Sequence, residues 1–329
     1  MDYPDIYYLP EWLSLYARRD GEDYGYYVLQ CEHGTVIYPY VRRKVPRLVA
    51  DKQYYDIITP YGFNGPCIVE YSGKSELLST FKTEFSAYCE QQDIIAEYVR
   101  FSPWLKNYED FYQLYSIRDN NKTIAIDLSV PDILMDEVKS KRRNEIRKAQ
   151  KEGVSIHFDF SGKNTTDFRS LYQNTIKKNE IGTYYQFSDS FIQEHFSAIK
   201  DKVFIANAEI NGRVISSSIF IHHGGNLHYH LSANDYSMME YQGNSLLLYE
   251  VALWGKENGF KYLHLGGAGV AEKSLMDFKM SFSHSDGFPF YIGTKVRNAG
   301  VYNALTKMHS DSNTNYFPAY RGEIPCLKK

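Results

Sequence analysis

The 329-residue sequence lacks the patterns that mark zinc-binding, secreted or membrane-spanning proteins. Its 4 cysteines (Cys31, Cys67, Cys89 and Cys326) lie far apart and form no Cys-x-x-Cys pair, which argues against a zinc site or a redox motif. Residues 1–10 lack the basic and apolar regions of a signal peptide, and no apolar run approaches the roughly 20 residues of a membrane helix. We therefore expect a cytoplasmic protein with no integral membrane segment.

The sequence also has no large excess of charge. Its 37 lysines and arginines stand against 40 aspartates and glutamates, so the net charge is -3 and no global attraction to nucleic acid or membranes follows. A hydrophobic share of 43% and the chain length suit two ordinary domains. Any anion-binding surface must therefore be local.

Two groups of strand and helix patterns predict a mixed α+β protein. In the first, a hairpin over residues 26–41 precedes a helix over Ser75–Gln91 and a strand over Ile94–Phe101. In the second, strands over Val203–Ile210, Val214–His222 and Asn226–Ser232 follow a helical stretch over residues 132–153, in one piece or two. Asn211-Gly212 joins the first two strands, which is a strong hairpin signal.

A glycine-containing loop opens the next helix, which spans residues 245–258. Gly243, Asn244 and Ser245 stand where that helix begins, and the first amides of a helix bind anions. These three residues are therefore candidates for binding the anionic group of a donor substrate. The alternative is a plain turn before a helix. A buried strand, Tyr262–Leu265, then leads to Gly266-Gly267 and a helix over Ser274–Phe282.

Basic residues form a stripe on the earlier helix. Lys139, Arg143, Arg147 and Lys151 recur at steps of four, which places them on one face. Arg143 and Arg147 are candidates for holding phosphates of tRNA or of a nucleotide-linked substrate. A solvated face with internal Glu–Arg pairs explains the stripe equally well.

Histidine pairs do not make a convincing metal site. His222-His223 and His228-x-His230 have no acidic partner at a fixed spacing, so we expect no metal.

Six segments lie in a fixed order within residues 120–290: 141–149, the helix carrying Leu171-Tyr172 and Thr175, 228–232, 243–247, 263–267 and 274–282. In this order and spacing the chain resembles the FemAB-like peptidoglycan aminoacyltransferases, a GNAT-superfamily group with a BioF2-like acyltransferase domain. Tyr61-Gly62-Phe63 and Arg100-Phe101-Ser102-Pro103 resemble the family more loosely. This resemblance implies two GNAT-like lobes with mixed sheets flanked by helices: residues 1–122, residues 123–290, and a tail, 291–329, that returns to the first lobe.

The resemblance also implies a site. The family's Phe-Lys pair, here Phe278-Lys279, lies where the aminoacyl ester meets the acceptor amine. A fixed cation in a dry cleft stabilises the oxyanion formed there, and Phe278 and Phe282 are spaced to shield it. A surface lysine on an amphipathic helix is the alternative. The predicted substrate-binding residues are Tyr229, Arg100, Tyr61, Lys177 and Tyr185.

Three departures from the family bear on the substrates. Tyr16 and Tyr185 stand near the Lys and Arg that hold the UDP diphosphate in relatives, and Ser102 replaces a cleft Asp. Glu240 occupies the Gln or Arg position of the usual GNAT pyrophosphate loop, where a carboxylate repels phosphate. Arg18, Arg19, Lys177 and Lys178 are nearby basic residues that are able to substitute.

Three functions fit the sequence. The first is aminoacyl or acyl transfer from an activated ester, such as aminoacyl-tRNA, to an amine of a nucleotide- or lipid-linked cell-envelope precursor, with no tightly bound cofactor. The second is acyl-CoA-dependent N-acylation of a sugar nucleotide in polysaccharide biosynthesis. The third is a non-catalytic GNAT-like binding protein. Glu240 argues against the second, and the intact Phe278-Lys279-x-x-Phe282 spacing argues against the third.

Overall fold

The computed structural model of the protein describes residues 2–20, 22–163, 165–178, 185–269, 272–309 and 316–322. Cys326 lies outside these residues, and the other three cysteines are free thiols. The strands are β1 (Asp23–Cys31), β2 (Gly34–Lys44), β3 (Tyr55–Ile58), β4 (Cys67–Tyr71), β5 (Ile94–Arg100), β6 (Ser116–Asp127), β7 (Ser155–Asp159), β8 (Val203–Ile210), β9 (Arg213–His223), β10 (Asn226–Asn234), β11 (Tyr262–Gly266) and β12 (Phe288–Val296). The helices are α1 (Pro10–Asp20), α2 (Lys74–Gln91), α3 (Tyr108–Phe111), α4 (Ser140–Lys151), α5 (Thr166–Lys178), α6 (Asp189–Ala198), α7 (Gly243–Glu257), α8 (Lys273–Met280) and α9 (Ala299–Met308).

One long strand joins two groups of strands. The order along the described sheet is β1-β2-β3-β5-β12-β6-β11-β10-β9-β8-β7, with β4 beside β2. Residues 116–123 of β6 pair with β12, and residues 124–127 pair with β11. The predicted limit between residues 122 and 123 therefore falls inside β6. Parallel pairs β3–β5 and β10–β11 stand among antiparallel ones, so the predicted α+β class with mixed sheets is confirmed.

The end of the chain returns to the first group of strands, as predicted. Strand β12 lies between β5 and β6, and the predicted start of the tail, residue 291, falls within it. Leu305 of α9 and Tyr320 then pack with Val45, Ile95 and Ala96. The domain limits themselves stay predictions.

Local sequence signals account for three of the element boundaries. Asn211 and Gly212 both have positive φ, 51° and 74°, which is the turn that matches the twist of two paired strands. The helical stretch over residues 132–153 divides in two, because Val138 and Lys139 are extended between a turn at Ile133–Glu137 and α4. Gly153, with φ 82°, follows the end of α4 and is the predicted helix stop.

Two apolar cores cover the two faces of strands β8–β10, and the first also includes β11. One packs α4 and α7 against Phe204, Phe220 and Leu263. The other packs α1, α5 and α6 against strand residues that include Ile205 and Ile219. Helix α1 belongs by sequence to the predicted first lobe, but its apolar face completes this second core.

Candidate active site

Strands β10 and β11 begin as a parallel pair and then separate. Their pairing comprises Asn226 with Tyr262, Leu227 with Leu263, and His228 with His264. Beyond this point a bulge interrupts the pairing of β10 with β9, because Tyr229 pairs with Phe220 and Leu231 with Ile219. Within the described residues, β10 and β11 do not pair beyond His228 and His264, so their carboxyl ends form an open V.

Polar side chains line the β10 side of this V. The hydroxyl of Tyr229 donates to Oδ1 of Asn244, at 3.3 Å, and Ser216 Oγ donates to Oδ1 of Asn234, at 2.7 Å. Burial raises the pKa of Tyr229, so its phenol remains a neutral hydrogen-bond donor at physiological pH. The structure thus brings together predicted substrate-binding Tyr229 and predicted donor-binding Asn244.

The first turn of α7 already has a carboxylate beside it. Ser245 Oγ lies 3.5 Å from Oε2 of Glu145, and Arg142 Nη1 donates to Ser245 Oγ at 2.8 Å and to Glu145. Gly243 is buried against Ile215 and Ala208. An Arg142–Glu145 ion pair therefore lies beside the end of the helix that favours anions.

Arg142 links α4, α7 and α8. It donates from Nε to Ser281 Oγ at 2.8 Å, and its guanidinium lies 4.4 Å from the ring centroid of Phe278 and 5.2 Å from that of Phe282. Desolvation lowers the pKa of Arg142, with Glu145 opposing the shift. The cation over the two rings predicted to shield Lys279 is therefore Arg142. Its spacing from the buried Ile146 and Ala149 is the sequence signal that identifies it.

Lys279 is buried, so the alternative of a surface lysine is wrong. Only 8% of the residue is accessible, and Nζ donates to the carbonyl of Gly267 at 2.5 Å. A Cβ on Gly266, which has φ +75°, would lie 3.5 Å from Nζ. Burial lowers the pKa of Lys279 to about 8, with Glu272 opposing the shift. The turn after β11 therefore holds a nearly dry ammonium beside the V.

The basic stripe lies on a different face of α4 from Arg142. Arg143 Nη1 donates to the carbonyl of Val138 at 2.7 Å and to that of Met135 at 3.4 Å. Arg147 is exposed, with Nη2 3.9 Å from Sδ of Met135. The structure thus does not bring these two arginines to the start of α7, and their role in phosphate binding stays a prediction.

Two other predicted substrate-binding residues have separate places. Arg100 Nη2 donates to the carbonyls of Thr59, at 3.2 Å, and Pro60, at 2.5 Å, and so holds the loop that leads to Tyr61. Lys177 is exposed near the end of α5, and the neighbouring Lys178 Nζ lies 3.6 Å from the ring centroid of Tyr236.

Tyr61 and Tyr185 meet at a cluster of aromatic and histidine side chains. Tyr61 stacks on Tyr16 with ring centroids 5.0 Å apart, and its ring meets that of Tyr185 edge-on at 6.2 Å. The Tyr16 hydroxyl lies 3.3 Å from Nε2 of His195 and 3.1 Å from Nε2 of His230. Burial lowers the pKa of His195 to about 4 and that of His230 well below its ordinary value, so both rings are neutral.

A second histidine pair, which the sequence patterns do not reveal, has a carboxylate behind it. His228 Nε2 lies 3.0 Å from Oδ2 of Asp5, which also accepts from Trp104 Nε1 at 2.9 Å. His228 Nδ1 lies 3.4 Å from Nδ1 of His264. Both rings line a pocket with Trp104, Tyr262 and Phe288. Asp5 and His228 are separated by 223 residues, so no spacing rule connects them.

Comparisons with known proteins agree with this geometry. Residues 138–280 match the acetyltransferase (GNAT) domain family. The chain has a GNAT-type fold. It resembles the crystal structure of FemX with a TM-score of 0.69 at 13% identity, over 91% of this chain and 94% of that one. The resemblance to FemAB-like proteins is thereby confirmed at the level of the fold.

Two further structures share this GNAT-type fold. L-PGS from Bacillus licheniformis gives a TM-score of 0.53 at 14% identity, over 93% of this chain and 97% of that one. The C-terminal DUF2156 domain of a protein assigned as a lysylphosphatidylglycerol synthetase from Agrobacterium fabrum gives 0.54 at 13%, over 86% and 87%. No curated protein sequence matches the chain.

Two expectations from the sequence, the absence of a metal site and of a membrane segment, stay predictions. Within them, no group of three or more His, Cys, Asp or Glu side chains is arranged to hold a metal ion. No helix in the same part of the GNAT-type chain is long and apolar enough to cross a membrane.

Proposed function

We propose that the protein is an acyltransferase that moves an aminoacyl or acyl group from an activated ester to an amine of a cell-envelope precursor. The observation that carries this proposal is the buried ammonium of Lys279 beside the open ends of β10 and β11. Nucleophilic attack on an ester places negative charge on the carbonyl oxygen. A fixed cation in a site with little water stabilises that charge far more than a solvated one does.

The chain supports an aminoacyl ester better than a coenzyme A thioester. Glu145 lies at the start of α7, where a pyrophosphate would otherwise bind, and the exposed Glu240 precedes that helix. Glu240 repels a pyrophosphate, and Arg142, the cation beside the start of α7, is already paired with Glu145. FemX and the domain assigned as a lysylphosphatidylglycerol synthetase have the same fold, and this supports aminoacyl-tRNA as donor and an envelope component as acceptor. Such a reaction suits a cytoplasmic location.

We infer that the protein does not hold its acceptor through a diphosphate at the position that relatives use. Tyr16 and Tyr185 replace the basic pair, and neutral His195 and His230 lie behind Tyr16. Arg19 is the basic residue best placed to substitute for that pair, because its guanidinium lies 5.2 Å from the Tyr16 ring centroid. Aromatic faces such as Tyr61 suit sugar rings and acyl chains.

A transfer assay tests this function. Total tRNA charged with labelled amino acids, and separately labelled acetyl-CoA, is incubated with wild-type protein and either UDP-MurNAc-pentapeptide or an amino-sugar nucleotide. Label transferred from aminoacyl-tRNA supports the proposal. Transfer from acetyl-CoA alone overturns the donor assignment, and no transfer from either donor in the presence of these acceptors or a cell-envelope extract overturns the enzyme function.

The match of residues 138–280 to an acetyltransferase domain family is the observation that favours acyl-CoA as a second candidate donor. Titration calorimetry separates the two donors. Because the start of α7 already has a carboxylate beside it, we expect no micromolar binding of acetyl-CoA. A micromolar dissociation constant would promote the acyl-CoA-dependent function.

A further inference from the structure

The Asp5–His228–His264 chain has the geometry of a proton relay. Asp5 is fully buried, and Oδ2 accepts a hydrogen bond, so Nε2 of His228 carries a hydrogen. In the neutral ring, Nδ1 of His228 is then a lone-pair acceptor. Nδ1 of His264 must therefore carry the hydrogen that joins the two rings. This order leaves a lone pair on Nε2 of His264.

That nitrogen has no partner in the part of the chain that the structure describes. Nε2 of His264 is buried without a hydrogen bond, although the ring lines the pocket between Trp104 and Phe288. A buried polar atom without a partner costs free energy, and a water molecule or a ligand group that donates a hydrogen to it removes that cost. An acceptor amine is a group that donates to such a nitrogen.

We propose that His264 is a catalytic residue of the acyl transfer, with Nε2 as the base that takes the proton from the acceptor amine, and that His228 and Asp5 are its positioning residues. This inference rests on the proposed function. The group to be deprotonated is a neutral primary or secondary amine of the acceptor that reaches Nε2 of His264.

The step balances without another reagent. The amine nitrogen forms a bond to the ester carbonyl carbon, and its proton moves to Nε2 of His264. The intermediate then expels the ester oxygen with the electron pair of the broken C–O bond, and that oxygen takes the proton back from Nε2. No net proton or electron is gained or lost by the protein.

The charges around the two rings explain why the relay has two histidines. His264 is faced by Lys279 of α8 and His228 of β10, and the pKa of His264 is lowered well below its ordinary value by burial first and by these two groups next. A proton on Nε2 allows Nδ1 to pass its own hydrogen to His228. The positive charge then lies beside the Asp5 carboxylate instead of near the Lys279 ammonium.

Imidazole ¹⁵N NMR tests the hydrogen positions without any substrate. The signals of His264 are those that disappear in a His264→Gln variant. In wild-type protein at pH 7, we expect them to show a neutral ring with Nδ1 protonated and Nε2 unprotonated. A hydrogen on Nε2 of that ring would contradict the relay.

The transfer assay with labelled aminoacyl-tRNA tests the chemistry. We expect His264→Gln to lose roughly two to four orders of magnitude in kcat, the usual range for general acid–base catalysis, and to lose the acidic limb of its pH profile. His228→Gln should lower kcat with little change in KM and shift that limb. His157→Gln, at an exposed strand histidine, is the matched control.

The two proposals fail in different ways. A wild type that transfers nothing from either donor refutes the proposed function and this inference with it. An active wild type beside an equally active His264→Gln variant refutes the inference alone.

Discussion

His228 and His230 lie two residues apart on β10, and both contact the N-terminal part of the chain, yet their surroundings differ. His228 faces the Asp5 carboxylate and a second ring that lines a pocket. His230 faces the Tyr16 hydroxyl, the Trp12 ring and His195, none of which is an anion. Burial in an aromatic cluster keeps His230 neutral, whereas His228 has a buried carboxylate at hydrogen-bond distance.

Apart from the relay itself, the largest expected effect is at Lys279, the cation near His228 and His264. Lys279→Met should lower turnover by about two to three orders of magnitude, because it removes the charge that faces the oxyanion but keeps the apolar stem. Lys273→Met, at an exposed position of α8, should leave turnover unchanged. Steady-state kinetics on the labelled donor measures both, and near-normal turnover of Lys279→Met would rule out this role.

Lys279 should also make turnover depend on pH. Its pKa of about 8 lies below the ordinary 10.5, so the group is charged at pH 7 and loses its proton as the pH rises through about 8. Wild-type turnover should therefore decline above pH 8. The native state holds this charge at a cost, so Lys279→Met should melt at an equal or higher temperature. A marked fall in its melting temperature would contradict this account.

The neutral histidines beside Tyr16, His195 and His230, should instead affect the stability of the fold. The unfolded chain protonates His195 below pH 6.5, while the folded protein keeps it neutral down to about pH 4. The unfolded state binds more protons in that window, so the free energy of unfolding should fall by about 3 kcal/mol from this group as the pH drops. Urea unfolding of His195→Gln should show a shallower dependence, and His157→Gln an unchanged one.

Tyr16→Phe sharpens the comparison further. The change removes the hydroxyl that lies near both Nε2 atoms of the cluster, so stability should fall by about 1–2 kcal/mol. Turnover should stay within about threefold of wild type, since general acid–base groups contribute far more than that. Tyr24→Phe, at an exposed ring, is the control. A large loss of turnover with unchanged stability would assign Tyr16 to the chemistry.

The smallest effect concerns the basic stripe. If Arg143 and Arg147 contact tRNA phosphates, replacing each by Ala should reduce the slope of log affinity against log salt by roughly one unit. Lys82→Ala, on the exposed face of α2, should leave the slope unchanged. Equal slopes for all three variants and the wild type would identify the stripe as a solvated face.

Local patterns predicted the elements around the site well. The helix over residues 245–258 begins at Gly243, and the strand over Val203–Ile210 has those limits in the structure. Periodicity succeeds here because the apolar side chains of each element must all reach one core. The spacing of Arg142 from Ile146 places it on the apolar side of α4, but only the packing of α4 against α7 shows that this side faces the start of α7.

The sequence by itself determined the strands and helices, the turns at Asn211-Gly212 and Gly153, and the resemblance that singled out Lys279. The tertiary structure decided that Lys279 is buried, because only the packing of the turn at Gly266-Gly267 removes its ammonium from water. It also decided the pairing of Asp5, His228 and His264. Parallel strands align residues far apart in the chain, and the N-terminal segment supplies a carboxylate whose partner no local pattern specifies.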